Sequence, residues 1–253
     1  MPGDPIQRWA RAAGVLLLIS IVAGGFGEFY VPSTLIVAGD ANATAHNLTT
    51  SGLLFRLGFA GYLVEAVCDV ALTLIFYVLL RPVRKNVALL AAFLRLMATA
   101  TFAMAELFYF AASLILGGAA YLKSFSPDQL NTLALLSLNV YGVGGEIFLV
   151  FYGVASIISG YLIFQSTYLP KVLGVLLVLG GFGFATMNFV LVLAPKYASP
   201  ILLLPTVVAM VSIALWLLAR GIDVQKWKRK RRLSTSGLAK TQSADPTQLF
   251  SAC

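Results

Sequence analysis

Five acids, Glu28, Glu65, Asp69, Glu106 and Glu146, lie inside or at the end of stretches that are otherwise apolar enough to cross a bilayer. They include every glutamate of the chain, and Arg95 is the one base placed as deeply. Carboxyl groups in such a setting hold a cation, an amine or an exchangeable proton. The simpler alternative is that each is a protonated hydrogen-bond donor joining two helices. A charge at mid-bilayer costs about 2.5–3.5 kcal/mol on insertion scales. Five uncompensated charges would cost roughly 12–17 kcal/mol, as much as the whole stability of a typical domain. The acids must therefore be protonated, hydrated or paired.

Helical spacing groups them with other polar or small residues. Ser20, Gly24 and Glu28 share one face of a first helix, and Glu65, Asp69 and Thr73 follow at steps of four on a second. Arg95, Thr99, Phe102 and Glu106 form one stripe of a third; Asn139, Gly142 and Glu146 form one on a fourth. Each stripe is expected to face the bundle rather than lipid. Arg95 and Glu106 stand about 16 Å apart along their helix, too far to pair. Arg95 is then the floor of an acidic cavity, or the partner of Asp69. The expected site residues are Glu65, Asp69 and Glu106, followed by Glu28, Glu146 and Arg95, for a small cationic or protonatable solute. A single histidine, His46, rules out a multi-histidine metal site, and no metal or cofactor is expected. Phosphate-binding loops, HExxH, GxSxG and a catalytic Cys/His pair are missing from the sequence.

The elements that must position these residues are legible from composition. Hydrophobic residues make up 59% of the 253 and charged residues 11%, where a soluble domain carries about 25% charged. Windows of about 20 apolar residues place six membrane-spanning helices, near 10–31, 58–80, 87–116, 138–164, 172–194 and 200–219, in an all-α bundle. Pro32, Pro82, Pro170 and Pro195 are expected to mark helix ends. Ser126-Pro127-Asp128 reads as a cap and first turn, and Gly142-Val143-Gly144-Gly145 as a bend. The first span is read as a retained helix rather than a signal peptide. Gly24, Gly25, Gly153, Gly160, Gly174, Gly180, Gly181 and Gly183 are assigned to close helix packing, and Asn188 to a bond with a neighbouring helix. Trp9, Trp216, Trp227, Tyr30, Tyr77, Tyr168 and Tyr197 are expected as interfacial anchors.

Charge sets the orientation. Fourteen of the 18 Lys and Arg residues fall on the side of the two termini and three on the other, so both termini are expected to be cytoplasmic. Lys226, Lys228, Arg229, Lys230, Arg231 and Arg232 form one run just after the last span. Such a run binds anionic lipid headgroups, and no nucleic-acid partner is expected because no reading module accompanies it. The chain divides into a transmembrane domain, 1–223, and a polybasic tail, 224–253, expected to be mostly disordered. A structural or regulatory protein whose tail docks to lipid or to a partner is the alternative to a solute site.

The stretch Gly160-Tyr-Leu-Ile-Phe-Gln-Ser-Thr-Tyr-Leu-Pro-Lys-Val-Leu-Gly174, then Pro205 and Ala214-Leu-Trp-Leu-Leu-Ala-Arg-Gly221, resembles a family of bacterial multi-pass membrane proteins known as domain of unknown function 4386. Arg11-Ala-Ala-Gly-Val-Leu and Leu79-Leu-Arg-Pro-Val83 resemble it too. The resemblance spans roughly residues 8–223 and implies a six-helix fold in the bacterial plasma membrane, with no activity attached. It also implies an acid soon after the third-helix arginine and another in the sixth helix. Here Glu106 comes later than the first of these, and Met210 stands near the second. Glu65 matches the second-helix acid better.

Overall fold

The computed structural model describes residues 4–197 and 199–242. Helix α1 (Pro5–Gly24) is capped by Asp4, whose side chain accepts from the Ile6 amide, with Pro5 in the first turn where no intrahelical bond is lost. Residues Gly25–Tyr30 then wind as a π-helical turn, and helical winding resumes as α2 (Val31–Leu35). The sequence pattern ended this span at Pro32, but the chain winds past it. The π turn shifts the bonding register so that the Val31 amide reaches the Phe26 carbonyl, five residues back, and the chain absorbs the proline there.

A short helix, α3 (Ala41–Thr50), follows, and then α4 (Gly52–Leu80) and α5 (Lys85–Ile115). The remaining helices are α6 (Pro127–Gln165), α7 (Lys171–Leu193), α8 (Leu204–Ala219) and α9 (Val224–Gln242). Ser126 and Gln129 form the full capping box before α6. Six segments are long and apolar enough to cross a membrane: Pro5–Leu35, Gly52–Leu80, Lys85–Ile115, Pro127–Gln165, Lys171–Leu191 and Ile201–Ala219. These are the six expected spans.

The spanning helices close into a ring. α1 packs on α4, α4 on α5, α5 on α6, α6 on α7, α7 on α8, and α8 returns to α1. Helix α4 shows how side chains are sorted. Leu63, Val67, Val70 and Leu74 form its outward stripe, each about half exposed or more, while Asp69, Leu72 and Thr73 point inward and are buried. That inversion suits a ring surrounded by hydrocarbon, in which polar groups find partners only inside.

Close approach depends on glycine at the expected positions except Gly25, beside which the space is open. A Cβ on Gly160 would lie 2.6 Å from the Gly174 carbonyl, and one on Gly174 would lie 2.6 Å from the Gly160 carbonyl. Gly153 and Gly181 oppose each other in the same way. Gly142–Gly145 do not interrupt α6, which is helical throughout. There Gly144 admits Ala105 and Gly145 faces Phe102, so glycine serves packing against α5 rather than a break. Asn188 bonds the Glu146 carbonyl on α6, as expected of a helix-to-helix tie.

One end of the ring gathers most of the chain's basic residues and is tied by a few polar bonds. The Leu79 carbonyl, in the last turn of α4, accepts from both the Tyr168 hydroxyl (2.7 Å) and the Trp227 indole (3.0 Å). These bonds satisfy a carbonyl that the helix end leaves without a partner. Gln7 donates to the Arg220 carbonyl and accepts from the Ile222 amide. It fills the space beside Gly221, whose φ of +67° and missing side chain the contact requires. Tyr168 and Trp227 are thus buried floor residues rather than interfacial anchors.

The polybasic run lies in α9, which continues past Leu233 to Gln242; residues 243–253, the rest of the tail expected to be mostly disordered, lie outside the described residues. Asp223 caps α9 by accepting from the Lys226 amide, Trp227 docks it, and Lys228 pairs with Asp4. The hydrogen bond from Lys228 holds the Asp4 carboxyl below the ordinary aspartate range. Lysine, arginine and glutamine are also good helix formers. Trp227→Ala should therefore lower stability in detergent by about 3 kcal/mol or more, with hydrogen exchange rising across α9 and the last turn of α4. Unchanged protection of α9 would show that another contact docks it.

Candidate functional site

Three of the acids converge in the half of the ring away from the basic end. Glu28 is carried by the π turn and Glu65 by α4, and their carboxyl groups lie within hydrogen-bonding reach of each other. Two carboxyl groups so placed need a proton or a cation between them. The Ser20 hydroxyl, fully buried on α1, reaches Glu65 as well. Glu65 fits because Gly24 has no side chain: a Cβ there would overlap the carboxyl group. Glu106 on α5 is 3% exposed, with the Tyr141 hydroxyl of α6 within hydrogen-bonding reach. Among the described residues, Glu65 Oε2, Glu106 Oε2 and the Tyr62 hydroxyl are buried with no hydrogen-bond partner.

Aromatic rings wall this region. Phe102 packs against Tyr62 (5.2 Å between ring centroids), Tyr141 (5.9 Å) and Phe148 (5.0 Å). Tyr109 stacks on Phe55 at 4.2 Å and meets Tyr141 at 5.2 Å. Sequence reasoning placed Phe102 on the Glu106 stripe but missed Tyr62, Tyr109 and Tyr141. Tyr109 stands seven residues after Phe102 and Tyr62 three before Glu65, so helical spacing held that signal.

Asp69 and Arg95 meet at the centre. Arg95 Nη2 donates to Asp69 Oδ1 at 2.7 Å, and both side chains are largely buried. Of the two expected roles for Arg95, partner of Asp69 is the one the side chains adopt. The guanidinium carbon lies 4.8 Å from the centroid of the Tyr152 ring and 5.9 Å from that of Phe76. Arg95 Nε has no partner among the described residues. On the side of Arg95 toward the basic end is a cavity of about 30 Å³. Its wall includes Leu17, Phe76, Ser156, Ser159, Leu177 and Met210, so that with Arg95 all six spanning helices contribute.

Glu146 is not among the converging acids. It lies seven residues before Gly153, on the face of α6 that meets α7. Asn139 and Gly142, expected on an inward stripe with it, are exposed. The inward positions of α6 belong instead to Leu138, Tyr141 and Tyr152, whose large apolar surfaces outcompete a single amide for buried space. His46 is exposed on α3, and no metal-binding cluster of His, Cys, Asp and Glu occurs among the described residues. Of the basic run, Lys226 pairs with Asp223, Lys228 with Asp4, and Arg231 stacks on Trp227 at 5.5 Å. Arg229 and Arg232 are exposed, and Lys230 is half-buried.

Six membrane-length helices closed around buried acids and one buried ion pair define a multi-pass membrane protein. The chain belongs to the family described as Domain of unknown function (DUF4386), whose model matches residues 12–221. No curated protein and no solved structure matches it.

Gly24→Ala tests how Glu65 is seated. The methyl group should displace the carboxyl and cost about 1–3 kcal/mol, and much of that should disappear in a Glu65→Ala background. Additive costs in a double-mutant cycle of thermal unfolding would mean that the two residues do not share the space.

Proposed function

We propose that the protein binds and moves a small cationic or protonatable solute across the bacterial plasma membrane, with both termini in the cytoplasm. The observation that carries this reading is the convergence of Glu28, Glu65 and Glu106 within one aromatic-walled half of the ring. Carboxylates supply charge for a cation, and ring faces add cation–π attraction. Buried carboxyl oxygens without partners, at Glu65 and Glu106, are acceptors available to a solute or a proton. The excess of basic residues at the end holding α9 supports the orientation.

Proton-coupled movement requires a carboxyl that gains and loses its proton in each cycle. Glu65→Gln keeps the shape and abolishes that exchange. In proteoliposomes loaded with a methylammonium probe, the variant should lose the pH dependence of flux while its expression and elution profile stay normal. Equal flux in the two proteins at every pH would reject the reading.

A second reading is favoured by the docked α9. Among the described residues, Arg229, Lys230 and Arg232 have no acidic partner of the kind that holds Lys226 and Lys228. On a helix fixed at the end of the bundle, these three are placed to meet anionic headgroups, worth about 1 kcal/mol per charge. Changing all three to alanine should weaken co-sedimentation of the isolated 224–253 peptide with phosphatidylglycerol vesicles and leave neutral vesicles unaffected. Unaltered co-sedimentation would remove headgroup binding as a role for the run.

A further inference from the structure

The Tyr62 hydroxyl, beside the acids, is buried with no hydrogen-bond partner among the described residues. The residue is 4% exposed, so the hydroxyl has given up water without gaining a bond. A hydroxyl in that state costs stability, and phenylalanine would fill the same space without it. Other buried tyrosines show the usual solution. The hydroxyls of Tyr109 and Tyr168 donate to the Phe55 and Leu79 carbonyls, and that of Tyr141 reaches Glu106. A group that departs from this pattern calls for a functional reason.

The position of Tyr62 supplies one. Its backbone lies against the π turn, where a Cβ on Gly27 would stand 3.2 Å from the Tyr62 amide nitrogen, and Glu28 is the next residue. Tyr62 precedes Glu65 by three on α4, so the two share a face. On its other side the ring meets Phe102 edge-on at 5.2 Å between centroids, and Phe102 stands one turn of α5 before Glu106. The charged groups facing the hydroxyl are Glu106, Glu28, Glu65 and, one turn beyond Glu65, Asp69. From α6 comes Tyr141, engaged with Glu106. Glu65 Oε2 and Glu106 Oε2, one on each side, are likewise buried without a partner among the described residues.

We infer that Tyr62 is a proton bridge between the Glu28–Glu65 pair on one wall and Glu106 on the other. This inference rests on the proton-coupled reading above and assigns a residue to the transfer between the acids. A phenol has one O–H to give and lone pairs to receive. The proton leaves the carboxyl of Glu65 for the Tyr62 oxygen as the phenol's own proton passes to the Glu106 carboxylate. Two O–H bonds break and two form, Tyr62 ends neutral as it began, and the negative charge moves from Glu106 to the pair. Glutamate carboxyl groups turn about a soft terminal torsion, so the contacts are made and broken without moving a helix. A proton also needs no cavity, which suits atoms buried this completely.

Tyr62→Phe removes the bridge and keeps the ring against Phe102. When the detergent-purified full chain is transferred to deuterium oxide, infrared bands of its protonated carboxyl groups shift as deuterium enters. Glu28→Gln, Glu65→Gln and Glu106→Gln assign those bands. In Tyr62→Phe, exchange on one side of the bridge, at the pair or at Glu106, should slow by roughly tenfold or more. The unfolding temperature should stay level or rise. Tyr168→Phe, which removes a hydroxyl bonded to the Leu79 carbonyl, should do the opposite, lowering the unfolding temperature and leaving exchange unaltered. Equal exchange rates in Tyr62→Phe and the natural protein overturn the inference, as does the lack of any protonated-carboxyl band from these acids at every pH. A clear fall in unfolding temperature, or failure of Tyr62→Phe to fold, also overturns it, because the hydroxyl would then have a structural partner. Slowed exchange together with unaltered flux in Glu65→Gln would keep the bridge and remove the transport reading. Equal exchange with altered flux in that variant would remove the bridge alone.

Discussion

The structure depends on one constraint: a polar group inside hydrocarbon must find its partner within the protein. Each feature of the ring answers it locally. The Leu79 carbonyl receives two donors from distant parts of the chain. Thr206 gives its hydroxyl proton to the Gly180 carbonyl, and Ser137 to that of Phe108. Asp69 takes the one deeply placed base. The apolar face of each helix then has no reason to turn inward, and large hydrophobic residues such as Val67 and Phe93 cover the outside. Among the described residues, Glu65 and Glu106, with the Tyr62 hydroxyl and Arg95 Nε, fall short of this rule, because these polar atoms are buried without a partner. Departures of that kind gather where a molecule must meet something that is not itself.

Small residues make the rule attainable. Hydroxyl and amide side chains are short, and they reach a neighbouring backbone only where two helices come very close. Glycine on both sides of the α6–α7 contact, and at Gly14 against the backbone of α8, provides that closeness. Gly24 is used differently. It makes room for a carboxyl group rather than for a helix, so the same residue type that draws helices together elsewhere here seats a charge-bearing group.

Much of this was legible in the sequence because hydropathy and helical period act along the chain. The six spans, the Ser126 cap, the glycine contacts and the inward stripes of α4 and α5 all follow from residues within one helix. What stayed hidden depends on contacts between helices. Glu146 and Asn139 have good spacing for a polar stripe, yet the tyrosines at 141 and 152 take the inner face of α6. Pro32 looks like an end until a register change five residues earlier is known. The polybasic run carries too little apolar periodicity to declare a packed helix, and one buried tryptophan fixes it against a carbonyl nearly 150 positions away. The Arg95–Asp69 pair was partly visible, since depth alone excluded Glu106 and left Asp69 as the available carboxylate.

The π turn at Gly25–Tyr30 has a consequence for how the chain tolerates change in length. Such a turn holds one residue more than regular winding would place in the same rise, so it behaves as a stored insertion. Losing one of the residues before Glu28 in it would leave a span just as greasy and still long enough to cross. Glu28 would nonetheless swing by about 100° around the helix axis and part from Glu65. The first span can therefore be shortened by one without any penalty that hydropathy would register, while the carboxyl pair it presents to α4 is undone.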